Sequence, residues 1–432
     1  MNLAEQFNYP DSYEENSRIA LETALHTAPA YRDWNRLDPG PEAAVNERYA
    51  AMPELTKQMM RKAFPDGLVP DGRSTAEALA SGKIEYTFTS GTTEEKVVNI
   101  WDASWWSRSE AESWKLNSHT AALPYPVRKA ELAGAQNVGI SCEEDLPMGH
   151  RTIGQTLYLN EKTSMLQWQP RHYKRMAREL ADFQPAVLEA NPSLLARLAF
   201  WALDNGKVLY QPDVIIFTYE FASKIHLAAI RRVFPSAAFV SSFGSTETGF
   251  VLEQCEDGLL HQNTASCRID FQPLKRQHGG PYLGRILVTT FGNPWNSIVR
   301  FDTGDLVHLH RGSCPCGHSL GMVADAVEGR TANVTFRTDG SLVTTKAVDD
   351  CLSQIPGLRD YSLKQSAPGV CELLLKAEKP KEAAAQAHEE MKKLYGPGKY
   401  TVQTVSDIFP GPSFKYRRTF ANYKFSQKEL FV

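Results

Sequence analysis

The sequence predicts an α/β protein with a large, multi-layer N-terminal α/β domain and a small α+β C-terminal domain. Three observations lead to this class. The chain has 432 residues, which is more than one ordinary hydrophobic core holds. A strand, a helix and a strand follow one another around residues 214–240, as they do in parallel, doubly wound sheets. After Gly329-Arg330 the pattern changes to a shorter alternation of helices and single strands, which is typical of a separate small unit.

The large domain is expected to have two parts. Residues 1–84 are rich in Ala, Glu and Arg and have no strand-like run, so they are predicted to be its helical N-terminal part. Residues 85–328 are predicted to be its core. Within this core, 214–217 and 238–240 are apolar strands, and apolar residues at helical spacing predict a helix over 222–233.

Capping residues predict both ends of one further helix. It runs from Pro192 to about Asn205, with Asn191 as its N-cap and Gly206 at its end. The small domain, residues 329–432, is predicted to contain in turn a helix, a strand, a charged helix and a strand, at 346–355, 371–376, 381–394 and 400–404.

Composition argues against several classes of function. The chain has 47 Lys+Arg and 50 Asp+Glu, a net charge of −3, so a nucleic-acid-binding surface is not expected. No apolar run reaches the roughly 18 residues of a membrane span, and the N-terminus lacks the features of a signal peptide. Seven cysteines in a chain of this length indicate reduced thiols or a metal site. We therefore expect a cytoplasmic, soluble protein.

Three segments combine hydroxyl residues, glycine and carboxylates. They are 87–96 (TFTSGTTEEK), 243–249 (FGSTETG) and 300–305 (RFDTGD). The first follows a strand-like run, where hydroxyl and backbone N–H groups form an anion-binding loop. The small residues of the second allow the backbone to approach a ligand closely. One such loop alone is most often a polar turn. Only the combination of the three segments indicates a ligand-binding site.

In their order and rough spacing, the three segments resemble those of the adenylate-forming ligases, in particular the phenylacetate–coenzyme A ligase branch. The resemblance extends from about residue 84 to Arg418. It implies that ATP activates a carboxylic acid, aryl or arylacetic, through an acyl-adenylate. The acyl group then passes to coenzyme A, and AMP and pyrophosphate are released. It also implies Mg²⁺ and Zn²⁺, a mobile C-terminal lid and a homodimer.

The resemblance assigns the first segment to the phosphates of ATP, with Thr89 as a catalytic residue. The residues of this loop are Thr89, Ser90, Gly91, Thr92 and Thr93. Glu94 and Glu95 stand where the family commonly has glycine and proline. Two carboxylates beside a triphosphate repel it unless Lys96 or a metal ion offsets their charge.

In the second segment, the resemblance places Glu247 on Mg²⁺, a role that suits a hard carboxylate oxygen. It also gives Glu247 a catalytic role. Ser245 and Thr246 would lie near the phosphates, and Phe243 would lie near the adenine, with Gly244 beside it in the nucleotide-binding loop.

Further residues are assigned by the same resemblance. Tyr219 and Glu220 would border the adenine, and Asp305 would accept hydrogen bonds from both ribose hydroxyls. Arg330 would belong to the interdomain hinge and to the nucleotide site. At the hinge, Ala326 replaces an arginine of the family pattern and Asn333 replaces its acid.

The C-terminal run SFKYRR, residues 413–418, resembles the family's lysine signature, with Phe414 in place of glycine. By this match, Lys415 is the catalytic lysine that bridges the substrate carboxylate and the α-phosphate. An ammonium group suits this role because it neutralises charge that develops during the reaction. The alternative is a basic surface tail.

Four residues with soft donor atoms lie in two short segments: Cys255, His261, Cys314 and Cys316. Four such ligands are the number that a structural tetrahedral zinc takes, and the resemblance supports the same set. Because the Cys-x-Cys spacing is short, His318 or Cys267 is an alternative for one ligand. Buried free thiols are the alternative to a metal.

His150 and Trp168 lie where the family builds its substrate wall, but both could equally be core or rim residues. Three other functions stay open. The protein could pass the acyl group to an amine or a carrier, move AMP to a non-thiol acceptor, or bind a nucleotide without catalysis. The resemblance does not give the acid, because specificity depends on the shape of the pocket.

Overall fold

A computed structural model describes residues 6–88, 97–124, 126–411 and 414–432. Its helices, in chain order, are α1 (Asp11–Thr27), α2 (Val45–Ala51), α3 (Lys57–Ala63), α4 (Thr75–Ala80), α5 (Ala103–Trp114), α6 (Ser118–Ala121), α7 (Pro170–Phe183), α8 (Pro192–Asp204), α9 (Lys224–Val233), α10 (Thr345–Leu352) and α11 (Pro380–Tyr395). Its strands are β1 (Glu85–Phe88), β2 (Val98–Trp101), β3 (Lys129–Leu132), β4 (Thr152–Ile153), β5 (Thr156–Tyr158), β6 (Val187–Ala190), β7 (Val214–Phe217), β8 (Ala238–Ser245), β9 (Gly249–Gln254), β10 (Leu260–Gln262), β11 (Cys267–Pro273), β12 (Leu283–Thr290), β13 (Phe301–Leu309), β14 (Val323–Arg330), β15 (Thr335–Phe336), β16 (Leu342–Val343), β17 (Leu358–Ala367), β18 (Val370–Ala377), β19 (Lys399–Thr404) and β20 (Thr419–Ala421).

The chain divides into two compact units. Unit 1 consists of Met1–Ala121, Ser242–Pro273 and Gly284–Ala326, and unit 2 consists of Ala122–Ser241, Leu274–Leu283 and Val327–Val432. Unit 2 therefore joins the middle of the chain to its C-terminal hundred or so residues. The sequence instead predicts domain boundaries after residues 84 and 328, and these boundaries stay a prediction.

Unit 1 consists of the N-terminal helices and a mainly antiparallel sheet. The strand order is β11-β12-β13-β14-β10-β9-β8, and β1 and β2 form a separate hairpin. Pairing is antiparallel between β8 and β9, β9 and β10, and β10 and β14. A core beneath the helices includes the fully buried Tyr31, Tyr49 and Leu55, together with Phe301 of β13. This core fixes the strand that carries the third sequence segment.

The sheet of unit 2 is largely parallel. Strands β3, β6, β7 and β8 pair in parallel register, with Val187 opposite Lys129 and Val214, and Val214 opposite Ala238. Strand β5 continues the parallel set, and the short β4 closes the edge antiparallel to it. The four residues of β7 are all apolar and buried, which is typical of strands that are covered on both faces. The predicted strand–helix–strand unit at 214–240 is confirmed.

Helix α8 follows the sequence signals closely. The side chain of Asn191 accepts hydrogen bonds from the N–H groups of Ser193 and Leu194, which caps the helix. Pro192 is the first helical residue, and Gly206 follows the end of the helix with a φ of 59°. The predicted punctuation of this helix is thus confirmed.

The C-terminal part of unit 2 is an α+β layer. Its sheet has the order β19-β18-β17-β20, and α10 and α11 cover a core that includes Leu363, Leu373 and Met391. The predicted strands and helices are present. Strand β17, which has ten residues and lies between β18 and β20, was not predicted. Ile225 of α9 belongs to the same core.

Two further contacts tie this layer to the rest of unit 2. The Ser223 hydroxyl donates to one carboxylate oxygen of Asp349, and the backbone N–H of Lys224 donates to the other over 2.7 Å. The chain therefore has an α/β fold with a C-terminal α+β part. Among the described residues, no helix combines the length and apolar character that crossing a membrane requires.

Candidate functional site

In unit 1, the segment 243–249 forms the tight connection between β8 and β9. The Thr248 N–H donates to the Ser245 carbonyl over 3.1 Å, and the two hydroxyl oxygens lie 3.0 Å apart. A Cβ atom at Gly244 would collide with the Gly249 carbonyl, so only glycine fits at this position. The turn fixes the positions of Thr246 and Glu247 directly after β8.

Glu247 is the most informative residue of this turn. Its side chain is only 3% exposed, and within the described part of the chain its Oε1 atom is buried without a hydrogen-bond partner. Buried carboxylate oxygens normally have a partner, and a hard cation such as Mg²⁺ takes carboxylate oxygen as a ligand. The residue therefore fits the Mg²⁺ position that the resemblance assigns to it.

The segment 300–305 begins strand β13 and is not an isolated turn. Arg300 has a φ of 52°, and its Nη1 atom lies 3.0 Å from the Asp270 carboxylate. Asp302 pairs with Arg285 and accepts the Gly304 N–H over 2.9 Å. Arg300 and Asp302 thus hold the strand in place, and Asp305 is the acid of the motif to which the resemblance gives a ligand role.

The structure brings together the four predicted metal-ligating residues of unit 1. They are Cys255 beyond β9, His261 in β10, and Cys314 and Cys316 in the turn after β13. The four donor atoms all lie within 4.8 Å of one another. Cys255 Sγ and Cys314 Sγ are 3.6 Å apart, and Cys316 Sγ is 3.4 Å from His261 Nε2.

The chemistry of this set fits a zinc ion. Burial lowers the pKa of His261 to about 4, so the imidazole is neutral and has a lone pair to offer. Burial raises the pKa of the Cys316 thiol to about 12, so a cation is needed to stabilise the thiolate. The His318 N–H donates to Cys316 Sγ over 3.4 Å. Three sulfurs and one nitrogen are a usual donor set for structural zinc.

The two alternative ligands, Cys267 and His318, lie outside this group of four. Cys267 donates to the Asn263 carbonyl over 3.6 Å and is fully buried in β11. The ring of His318 lies 5.6 Å from that of His261, centroid to centroid, which makes it a neighbour of the set.

In unit 2, Tyr219 and Glu220 follow β7. The Tyr219 hydroxyl donates to the Glu131 carboxylate, and burial raises the pKa of Tyr219 well above its usual value. Glu220 accepts hydrogen bonds from the Ser193 hydroxyl and from the Tyr416 N–H, the latter over 2.9 Å. Both carboxylate oxygens of Glu220 are therefore used by the protein itself, which the sequence did not reveal.

The lysine segment 414–418 is anchored in the same unit. Phe414, which stands in place of a glycine, is buried in the core of the parallel sheet. A Cβ atom at Gly134 would lie 2.8 Å from the Phe414 Cβ, so the ring uses the space that the missing side chain leaves. Lys415 is partly buried, and Arg418 is only 3% exposed.

The predicted hinge lies at the end of β14. Gly329 has a φ of 106°, and a Cβ atom there would collide with Thr345. Asn333 does not adopt a left-handed backbone; its side chain accepts from Arg417 Nε over 3.3 Å. Arg330 is partly buried.

The remaining predicted residues are those of the phosphate loop and of the substrate wall. The phosphate-loop residues Thr89–Thr93, with Glu94 and Glu95, lie outside the described residues. Trp168 is a core residue whose Nε1 donates to Asn160 over 2.9 Å, and His150 is exposed.

Comparison with known proteins gives structural matches only. No family model and no curated protein sequence matches the chain. A crystal structure of 2-hydroxyisobutyryl-CoA ligase in the postadenylation state, in complex with R3-HIB-AMP, matches with a TM-score of 0.73 at 15% identity. The match covers 98% of this chain and 90% of that one.

Two further matches have TM-scores just above one half. The anthranilate CoA ligase AuaEII in complex with anthranoyl-AMP has a TM-score of 0.53 at 12% identity, over 77% of this chain and 65% of that one. The amide bond synthetase McbA from Marinactinospora thermotolerans has a TM-score of 0.51 at 15% identity, over 93% and 92%. The chain therefore has the fold of these CoA ligases and of this amide bond synthetase.

Proposed function

We propose that this protein activates a carboxylic acid with ATP and transfers the acyl group to coenzyme A. In the first step, a carboxylate oxygen attacks the α-phosphorus of ATP, and pyrophosphate leaves. In the second step, the thiol sulfur attacks the acyl carbon of the adenylate, and AMP leaves. The observation that carries the proposal is the buried Glu247 carboxylate, which has an oxygen without a partner among the described residues and lies within the second sequence segment.

The proposed roles follow the chemistry of each side chain. Mg²⁺ held by Glu247 would offset the charge of the phosphates. Ser245 and Thr246 would bind phosphate oxygens together with Thr89–Thr93, and Asp305 would accept the ribose hydroxyls. Lys415 would neutralise the charge that develops as the carboxylate attacks. We propose nucleotide-binding roles for five further residues, as the resemblance implies: Phe243 and Gly244 of unit 1, and Tyr219, Glu220 and Arg330 of unit 2.

We propose an aryl or arylacetic acid as the substrate, as the resemblance to the phenylacetate–coenzyme A ligase branch implies. The match to an anthranilate CoA ligase is compatible with this class. An amine acceptor is the second candidate, because an amide bond synthetase shares the fold over 93% of this chain. A cytoplasmic location and a homodimer are part of the same proposal.

We further propose that Cys255, His261, Cys314 and Cys316 hold a structural zinc ion. The ion would fasten the turn after β9 to the turn after β13. Its role would be structural because all four tetrahedral positions are filled by protein donors.

The test is acid-dependent exchange of pyrophosphate into ATP, with Mg²⁺ and a panel of aryl, arylacetic and amino acids. We expect exchange with at least one acid, and a loss of about 100-fold or more in Glu247→Gln. Glu112→Gln is the matched control, because Glu112 is a partly exposed residue of α5 that pairs with Lys115. Absence of exchange with every acid, in a protein that binds ATP, would refute the proposal.

The acceptor is settled by adding coenzyme A or amines to the acid that supports exchange. Formation of a thioester supports the ligase proposal. Formation of an amide without a thioester would favour the second candidate.

A further inference from the structure

The lysine segment of unit 2 is fixed on both sides of Lys415. Before it, the Phe414 ring is buried in the core of the parallel sheet. After it, the Tyr416 N–H donates to Glu220 Oε2 over 2.9 Å. The backbone at Lys415 is therefore held between an apolar contact and a charge-assisted hydrogen bond, the stronger kind.

Glu220 is linked to this segment a second time. Its Oε1 atom accepts the Ser193 hydroxyl, and Ser193 Oγ in turn accepts from Arg418 Nη2 over 2.9 Å. Arg418 Nη1 lies 2.7 Å from Asp360. One carboxylate thus fixes position 416 directly and position 418 through a hydroxyl, which leaves little freedom to the residues between them.

The backbone that presents Glu220 is unusual. The Glu220 N–H donates to the Thr218 carbonyl over 3.0 Å, and Tyr219 between them has a φ of 75°. This is a γ-turn of the rare, strained type with a positive central φ. The partly buried hydrogen bond between the Tyr219 hydroxyl and the Glu131 carboxylate holds the strained residue in place. Strain of this kind persists where the surroundings enforce it, often at functional sites.

We propose that Glu220 is a positioning residue for Lys415: it fixes the Tyr416 backbone and so directs the lysine for adenylate formation. The inference rests on the proposed function, in which Lys415 acts in the first half-reaction. Glu220 would contribute to the nucleotide site mainly through this backbone bond. Misplacement of a reacting group by about 1 Å can cost about 100-fold in rate.

The test is Glu220→Gln, which keeps the size of the side chain but removes its charge and one acceptor. We expect pyrophosphate exchange to fall about 10- to 100-fold. Thioester formation from supplied acyl-adenylate should change less than about threefold, because Lys415 is not used in that step. In a Lys415→Ala background, Glu220→Gln should have little further effect on exchange.

Two variants serve as references. Ser193→Ala removes only the second link and leaves the bond to Tyr416, so a smaller loss of exchange is expected, about threefold. Glu372→Gln, at an exposed position of β18, should leave both half-reactions unchanged. An equal loss of both half-reactions in Glu220→Gln would overturn the proposal, as would full exchange activity in that variant.

A measurement that does not depend on activity separates this proposal from the proposed function. Hydrogen–deuterium exchange of a peptide spanning residues 414–420 should be about tenfold faster in Glu220→Gln than in the wild type or Glu372→Gln. Unchanged protection would refute the positioning role whatever the reaction is. Faster exchange in a protein without adenylation activity would instead leave the positional link intact and refute the adenylation function.

Discussion

Two clusters join distant segments of the chain by opposite chemistry. One is the cysteine–histidine set of unit 1, and the other is the Arg418 cluster of unit 2, in which Arg418 contacts Asp360, Ser193 and His226. Cys255 and Cys314 are 59 positions apart, and Ser193 and Arg418 are 225 apart. The first cluster consists of four atoms that could all bind one metal ion. The second consists of groups that already form ion pairs and hydrogen bonds with one another. The first should therefore depend on an ion from solution, and the second only on its own charges.

The largest effect is expected from Arg418→Met. It removes the guanidinium but leaves Asp360 buried and without its strongest partner, which should lower the free energy of unfolding by about 3–5 kcal/mol. Denaturant titration measures this change. The neighbouring Arg417→Met is the control, because Arg417 is exposed, and should cost less than about 1 kcal/mol. Equal effects of the two variants would contradict a self-contained cluster.

The second-largest effect is expected from removal of the metal ion. We expect one zinc ion for each chain by elemental analysis, and a loss of about 3 kcal/mol in the free energy of unfolding on full chelation. Cys314→Ser should lose both the ion and the sensitivity to the chelator. Cys351→Ser should keep both, since this partly buried thiol donates to the Glu390 carbonyl. A metal-free protein with unchanged stability would show that the thiols are merely buried.

The charged cluster also predicts a dependence on pH. Burial disfavours the Asp360 carboxylate, but Arg418 and His226 outweigh this and hold its pKa well below the usual 3.8. The unfolded chain therefore binds more protons in acid, so this stabilisation is present above about pH 4 and is lost as the pH falls. We expect a loss on the order of 2 kcal/mol between about pH 5 and about pH 2. The part of the acid dependence due to Asp360 should be absent in Asp360→Asn, which thermal melts across this range can measure.

A smaller effect is expected at Arg197 on α8. Its side chain is 13% exposed, pairs with both oxygens of Asp407 and donates to the Tyr416 hydroxyl over 2.7 Å. Because this pair is partly solvated, Arg197→Met should cost only about 1–2 kcal/mol in denaturant titration. A loss of unfolding free energy as large as that in Arg418→Met would contradict the expected difference between the buried Arg418 and the partly solvated Arg197.

The sequence predicted those features whose signals are local. Helix α8 has its cap, its proline and its terminal glycine within a few residues, and the two cysteine-bearing turns have recognisable ligand types. The strand pattern at 214–240 likewise predicted parallel pairing. In each case the residues that decide the structure are close together in the chain or have a distinctive chemistry.

The rest depends on contacts between distant segments. The sequence does not indicate that Glu220 meets Tyr416, which lies 196 positions away, or that residues 327–432 join the middle of the chain in one unit. Strand β17 escaped recognition because its polar residues are mixed with apolar ones, which become buried in a core shared with distant segments of the chain. The role of Phe414 was also hidden, because its space is made by a glycine 280 positions earlier.

Gly134 and Phe414 therefore form a pair whose evolution should be coupled. The Cγ of Phe414 would lie 2.9 Å from a Cβ at position 134, so the two positions share one volume. In related sequences that carry glycine at position 414, alanine or serine should become acceptable at position 134. Where phenylalanine is kept, position 134 should stay glycine, and an alignment would reveal the pair as covariation across the length of the chain.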